Sequence, residues 1–218
     1  MPWTLLPHLS ACVAGESVML LDLRQDRYFR LPEPMGRTTC AWLTGRTAAP
    51  PPTLIALLER SGVLKKGDAS LRAPALVLTD IPAVLDTPVT PERLGPARAL
   101  GIARAVAGSW LNLRTRRLHI LVAARRIWRA SQPFSGDAIS PECLAGYHRA
   151  RRLVPIAKNC LMDSMALDAW LGSSEPGRHL VFGVTVEPFL AHCWLQSPSR
   201  ILNDNYDHVR RYTPILIV

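Results

Sequence analysis

The last third of the chain combines one apolar helical segment with several strand-like runs. The segment CLMDSMALDAWL, Cys160 to Leu171, has helical spacing; Asn159 before it is a good N-cap residue, and Gly172 after it is typical of a helix end. The strand-like runs that follow are HLVFGVTV, FLAHCWLQ, RILND and TPILIV. A helix followed by antiparallel strands predicts an α+β fold for this region.

The first segment, from about Leu5 to Lys66, predicts a small module of strands and short helices. SVMLLDLRQDRYFRLP predicts two strands joined at Arg24–Asp26, and MGRTTCAWLTG predicts a helix that ends at Gly45. TLIALLERSGVL predicts an amphipathic helix, which Thr53 is placed to cap and whose apolar face is formed by Leu54, Leu57 and Leu58. Strands and short helices in so short a segment indicate a winged-helix-like module.

The middle of the chain predicts a linker followed by helices. Residues 67–91 contain four prolines and no sustained periodicity, although the run ALVLTDI favours a strand. From Glu92 to Ala130 the pattern is helical, with a predicted break near Gly108. We therefore divide the chain into a winged-helix-like domain over residues 1–80 and a second domain over residues 81–218.

Composition limits the class of protein. The chain has 218 residues, of which 48% are apolar, so it can bury a core. No apolar run approaches the ~20 residues that a membrane span needs, and the first residues lack the basic region of a signal peptide. Five cysteines without a CxxC pair argue against a disulfide framework and against a zinc site. We expect a cytoplasmic protein with no membrane span and no metal.

The net charge of +9 allows several kinds of partner. A basic protein can bind nucleic acid, an anionic membrane surface or an acidic partner. Much of the excess arginine lies between Arg93 and Arg152, in the helical stretch, where a solvated helix surface explains it. We expect no nucleic-acid partner, and a DNA-binding winged-helix regulator remains an alternative.

Cys160 and His192 are the residues that could carry chemistry. A thiol in the first turn of a helix faces the positive end of the helix dipole, which favours the nucleophilic thiolate, although a buried inert cysteine also fits this position. A hairpin symmetric about Pro198 puts His192 opposite Asp204, with Cβ atoms ~5 Å apart, close enough for the carboxylate to orient the imidazole. A shift of one residue in the register would separate His192 from Asp204. Asp207 is the alternative partner.

Strand alternation places the residues next to His192 in the sequence on the opposite face of the strand. Cys193 points to the opposite face of the strand, so we interpret it as a core residue. The remaining histidines have no evident partner and are interpreted as surface or core residues.

From about Pro141 to Val218 the chain resembles the transglutaminase-like domain of lasso peptide biosynthesis B proteins. The shared pattern is Cys-Leu-x-x-Ser-x-Ala-Leu on a helix, a Gly-Val strand, then Ala-His-x-Trp and an Asp. The resemblance implies a cysteine protease of the papain and transglutaminase type, with Cys160 as nucleophile, His192 as base and Asp204 orienting the imidazole. Two departures are Cys193, where the family usually has Ala, and the stretch NYDHVRRY after Asp204.

The N-terminal segment resembles the RiPP recognition element, a winged-helix fold that binds a leader peptide as an added strand. The resemblance implies a leader groove lined by the third strand and the second helix, with contacts from Asp26, Arg27, Tyr28, Phe29, Arg30, Leu54, Leu57 and Leu58. The implied partners are a precursor peptide and an asparagine-synthetase-like lasso cyclase, with no resident cofactor and any ATP requirement in the partner. We therefore expect a leader peptidase; the alternative enzyme is a transglutaminase or amidase with the same triad.

Overall fold

The fold is described from a computed structural model that covers residues 3–33, 35–43, 46, 52–66, 82–131, 137–175 and 177–218. Its strands are β1 (Trp3–Leu5), β2 (Leu9–Ala14), β3 (Ser17–Asp22), β4 (Arg27–Arg30), β5 (Leu64–Lys66), β6 (His179–Thr185), β7 (Leu190–Gln196) and β8 (Thr213–Ile217). Its α-helices are α1 (Met35–Leu43), α2 (Pro52–Arg60), α3 (Pro96–Thr115), α4 (Leu118–Ser131), α5 (Pro141–Arg151), α6 (Cys160–Leu171) and α7 (Tyr206–Val209).

The strands form antiparallel sheets. In the described residues β1 pairs with β5, β3 lies between β2 and β4, and β6 lies between β7 and β8. Helix α6 packs against α3 and against β7. The mixture of helices and antiparallel sheets confirms the predicted α+β class. No helix in the described part of the chain has both the length and the apolar character to span a bilayer.

Strand β3 is buried along its whole length because its two faces lie in two different cores. Val18 and Leu20 pack with Ile55 and Leu58 of α2, and the alternate residues of β3 point the other way. These alternate residues, Met19 and Leu21, pack in a second core with residues of the C-terminal sheet. The residues of that sheet in this core include Phe182 and Ile215. The side chain of Ser10 on β2 also donates to the carbonyl of Ile215 on β8. The two predicted domains therefore share one hydrophobic core.

Several boundary predictions lie outside the described residues. These are the helix end at Gly45, the strand ALVLTDI and the domain boundary between residues 80 and 81. The boundary therefore stays a prediction.

The long helical stretch is interrupted at a different place from the predicted one. Gly108 lies inside α3, and the interruption falls at Arg116, whose backbone is extended (φ −125°, ψ 146°). This allows α4 to begin at Leu118 with that side chain buried. A glycine costs a helix only about 0.5–1 kcal/mol relative to alanine, so Gly108 alone does not end α3.

Two further local predictions are wrong. RILND forms no strand: Ile201 makes isolated bridges to Ala83 and Gln196, and the chain then bends at residues 202–204. Helix α2 begins at Pro52 and is not capped by Thr53, because the fixed φ of proline and its missing N–H suit the first helical turn.

Gly183 on β6 supports the packing around the candidate site, and its replacement tests that packing. A Cβ atom at this position would lie 2.7 Å from the Trp194 ring and 2.8 Å from the Cβ of Tyr212. We expect Gly183→Ala to lower the free energy of unfolding by about 1–3 kcal/mol, as overpacking does. Gly108→Ala is the control, because nothing lies within 4 Å of that Cβ in mid-helix and a gain of about 0.5–1 kcal/mol is expected. Urea unfolding measures both; equal effects would contradict the packing described.

Candidate active site

Cys160 is the first residue of α6 and opens into a pocket of about 320 Å³. The Asn159 side chain caps the helix by accepting a hydrogen bond from the Met162 N–H at 3.1 Å. Among the five cysteines, all of which the structure describes, Cys160 is partly exposed and the other four are buried. The start of α6 therefore holds the one partly exposed thiol, and Cys160 lies in the first helical turn, as expected from Asn159.

His192 lies on β7, directly across the pocket from the helix start. Its ring is hydrogen-bonded through Nε2 to Asp204, and it lies close enough to the Cys160 thiol for each group to shift the pKa of the other. Because Nε2 faces the carboxylate, Nδ1 is left for the thiol. The imidazole also packs beside Trp194, with ring centroids 6.0 Å apart, and beside Tyr212, at 5.1 Å. These contacts fix the plane of the ring between the two partners.

Asp204 reaches His192 by a route that differs from the predicted hairpin. The observed pairing sets Gln196 opposite Ile201 and joins the Leu202 N–H to the Leu195 carbonyl at 2.9 Å. This register is shifted by one residue from the symmetric hairpin about Pro198. The expected contact is nevertheless present, because the chain bends after Leu202 and does not continue as a strand. Asp207, the alternative partner, is exposed and pairs with Arg210 at 3.0 Å.

Asn203 holds the bend that carries Asp204. Its Oδ1 accepts from the Leu195 N–H at 2.7 Å, and its Nδ2 donates to the Ser164 hydroxyl at 2.8 Å. Ser164 is fully buried, and its hydroxyl lies 2.7 Å from the carbonyl oxygen of Cys160 and 3.0 Å from that of Cys193. This network ties the start of α6, strand β7 and the bend together, so the three candidate residues share one scaffold.

The site favours a separated pair of charges on Cys160 and His192. Burial opposes ionisation of the thiol, but hydrogen bonds from His192 and from the N–H groups of Cys193 and Leu161 bring the Cys160 pKa below its ordinary value. Burial likewise lowers the His192 pKa, but the hydrogen bonds and charges of Asp204 and Cys160 outweigh it and raise this pKa to about 9. The arrangement is typical of a thiolate–imidazolium nucleophile.

Several hydrogen-bond donors favour the ionised form of the Asp204 carboxylate. Burial raises its pKa, but hydrogen bonds from His192, from the Asn205 N–H and from His208 bring it below the ordinary value. Cys193 shows the opposite case, because its complete burial raises the thiol pKa. It is a core residue, as alternation predicts, and its backbone rather than its thiol contributes to the site.

His208 is a site residue that the sequence reasoning missed. Its Nδ1 lies 2.9 and 3.0 Å from the two Asp204 oxygens, and its Nε2 is 3.4 Å from the Tyr212 hydroxyl. The interpretation that it has no partner is therefore wrong. The available signal was its spacing from Asp204, since residues i and i+4 can meet across one helical turn.

We expect His208 to position the Asp204 carboxylate, which a paired substitution tests. His208→Ala removes a donor to a charged acceptor, so we expect kcat to fall about 3–10-fold, matching a hydrogen bond of ~1 kcal/mol. His208→Asn keeps an N–H donor near the place of Nδ1 and is expected to restore most of the rate. Peptide-cleavage kinetics measure both, with KM unchanged. Equal losses in the two variants would contradict the positioning role.

The predicted leader-binding residues lie on two sides of the N-terminal sheet. Asp26 is in the turn before β4, with φ 51°, and Arg27 to Arg30 form β4, an edge strand in this sheet. Tyr28 packs on Phe189, with ring centroids 5.7 Å apart, whereas Phe29 is 37% exposed.

The leucines predicted on α2 do not all face solvent. Leu57 is exposed, but Leu58 is only 4% exposed and packs in the core beneath the sheet. It therefore does not line an open groove, because the burial of this helix face against the sheet takes precedence. The Leu54 side chain lies outside the described residues.

One group in the described residues has the ligand atoms for a metal ion. It comprises His192, Asp204 and His208, whose ligand atoms all lie within 4.8 Å of one another. Two imidazoles and a carboxylate are ligands that zinc accepts. The same atoms make the hydrogen bonds described above, so a bound ion would compete with that arrangement.

Comparison with known protein families gives one match. Residues 102–217 match the family described as the transglutaminase-like superfamily, Transglut_core3. Neither a curated protein nor a solved structure is significantly similar to the chain. The matched residues run from within α3 to the end of β8 and include Cys160, His192 and Asp204.

Proposed function

The chain belongs to the transglutaminase-like superfamily, and on that premise we propose that it is a cysteine peptidase that removes the leader from a ribosomally made precursor peptide. The observation that carries the proposal is a single pocket that brings together Cys160 at the start of a helix and the hydrogen-bonded pair of His192 and Asp204. Nucleophile, base and orienting carboxylate in this order suit acyl transfer from a peptide bond.

In the first half of the proposed reaction the Cys160 thiolate attacks the scissile carbonyl. The new C–S bond gives a tetrahedral oxyanion, and the Cys160 N–H at the free end of α6 can donate to that oxygen. The His192 imidazolium then gives its proton to the leaving nitrogen, the C–N bond breaks, and the amine product departs. The leader remains as a thioester on Cys160.

In the second half water replaces the amine. Neutral His192 removes a proton from the water, whose oxygen attacks the thioester carbonyl. The C–S bond breaks, the leader leaves with a free carboxylate, and the thiolate–imidazolium pair is restored. Asp204 holds the imidazole through both halves by its bond to Nε2.

Leader recognition is assigned to β4. One edge of β4 pairs with β3 and it has no second partner among the described strands, so a peptide can add to it as a strand. Docking there would raise the local concentration of the scissile bond at Cys160. Tyr28 on β4 and Cys160 both pack against the same hydrophobic core, which joins the edge strand to the domain that carries the thiol.

Mixing the purified protein with candidate precursor peptides tests this function. Mass spectrometry is expected to find two products, the leader with a new carboxylate and the core with a free N-terminus. Adding a primary amine in excess distinguishes the alternative acyl transferase, which would give an amide of the acyl donor. By the family resemblance, an asparagine-synthetase-like cyclase would then consume the core peptide. Failure to cleave any candidate precursor, with the thiol reactive, would contradict the proposal.

A further inference from the structure

The pocket beside Cys160 has a cationic rim that the catalytic arrangement does not use. Arg152 and Lys158 line this pocket together with the thiol, and both side chains are exposed. Lys158 comes two residues before Cys160, immediately before the N-cap. The two cations therefore lie in the wall of the same pocket as the nucleophile.

No acidic side chain lining the pocket neutralises these two cations. The carboxylates among its described lining residues are Asp163 and Asp204. Asp163 is bound to Arg151 at 2.6 Å and to the Asn159 N–H at 3.1 Å, and Asp204 is held by His192 and His208. Neither Arg152 nor Lys158 forms a salt bridge within the part of the chain that the structure describes. The rim thus keeps two uncompensated positive charges.

The start of α6 adds to the positive potential at this end of the pocket, and a buried histidine reports the influence of the two cations. The N-terminus of α6 directs its dipole and unpaired N–H groups toward Cys160. His148 also lines the pocket, and its pKa is lowered, first by burial and then by the charges of Lys158 and Arg152. The buried imidazole is therefore held neutral. Its pKa also shows that Lys158 and Arg152 both lie close enough to influence a group inside the pocket.

We propose that Arg152 and Lys158 form a carboxylate-binding subsite that selects substrates with an Asp or Glu side chain next to the scissile bond. The inference rests on the proposed peptidase function, because the selected side chain belongs to the peptide that this function would place in the pocket. An acidic side chain would be attracted by both cations and by the helix dipole. A neutral or basic residue there would leave the cations without a counter-charge.

Alkylation of Cys160 tests the subsite without any peptide. Iodoacetate and iodoacetamide react by the same step, in which the thiolate forms a C–S bond and iodide leaves, but iodoacetate carries a carboxylate. The rate ratio of the two reagents cancels changes in the thiolate fraction. We expect Arg152→Gln/Lys158→Gln to lower the iodoacetate-to-iodoacetamide ratio about tenfold at low salt, with a smaller fall at high salt.

A pair of exposed arginines elsewhere provides the matched control. Arg117→Gln/Arg126→Gln removes the same net charge from two exposed positions outside the pocket, one in the break before α4 and one within α4. We expect this control to leave the rate ratio unchanged. An unchanged ratio in the Arg152/Lys158 variant, or an equal fall in the control, would overturn the subsite.

Peptide substrates separate failure of the subsite from failure of the proposed function. Two precursors that differ only as Asp or Asn beside the cleaved bond should differ about tenfold in kcat/KM, and the double variant should remove that preference. If cleavage occurs equally with both peptides, the subsite is wrong and the peptidase function stands. If no precursor is cleaved but the alkylation ratio responds as expected, the function is wrong and the anion subsite stands.

Discussion

Cys160→Ala is expected to lower precursor cleavage at least about a thousandfold, to the background rate. The proposed mechanism passes through a thioester, and no other described thiol lines the pocket except the buried Cys193, whose pKa is raised. Losing the nucleophile of a triad-like unit removes almost all of its rate enhancement. Mass spectrometry of the leader product measures the effect, and no acyl-enzyme adduct should form.

The control for this variant removes a different thiol. Cys12 is buried in the shared core, where burial raises its pKa to about 12. We expect Cys12→Ala to keep cleavage at the temperature where it remains folded, although it loses some stability. Thermal unfolding should show that Cys160→Ala is folded, because the side chain is only partly buried. Cleavage that survives in folded Cys160→Ala would refute the assignment of the nucleophile.

His192→Ala is expected to slow alkylation of Cys160 by iodoacetamide on the order of a hundredfold at pH 6. In the wild type the imidazolium, with a pKa of about 9, keeps the neighbouring thiol ionised well below the ordinary thiol pKa. Without it the two largest contributions that lower the Cys160 pKa are lost while burial continues to raise it, so we expect this pKa to rise. An ordinary thiol with a pKa of ~8.5 is less than about 1% ionised at pH 6. The rate constant against pH, with the site identified by mass spectrometry, measures the shift.

The same pair of groups sets the direction of the pH dependence of cleavage. Above about pH 9 His192 loses its proton and can no longer protonate the leaving amine, so the wild-type rate should fall there. Asp204→Asn removes the largest contact that raises the His192 pKa and should move this limit to lower pH. His8→Ala, far from the pocket lining, is the control. An alkylation profile unchanged by His192→Ala would exclude the ion pair.

The parts of the site that depend on local sequence could be predicted. The start of α6 follows from Asn159, whose side chain makes the expected cap, and its end follows from Gly172 at φ 56°. Alternation along β7 correctly places His192 toward the pocket and Cys193 in the core. In each case the decisive interaction lies within a few residues along the chain.

The parts that depend on tertiary contacts could not be predicted. The route of Asp204 is set by Asn203, which bonds to Leu195 and Ser164 on two other elements. The second donor to Asp204 comes from His208, in a short helix that the pattern does not indicate. The hairpin symmetry led to the right pair through a register that is off by one residue. Packing between different elements decides such hydrogen-bond networks. The pattern of apolar residues along the chain carries no information about that packing.

The double burial of β3 has a consequence for engineering chimeras. A designer who wished to change the proposed leader recognition would have to graft more than the edge strand β4. The graft would have to keep the apolar surface formed by Cys12, Met19 and Leu21, because the C-terminal sheet packs on it. A donor module that evolved as a free-standing protein carries solvent-compatible residues on that face, so compatibility of the hidden face, rather than leader affinity, would limit which modules can be exchanged.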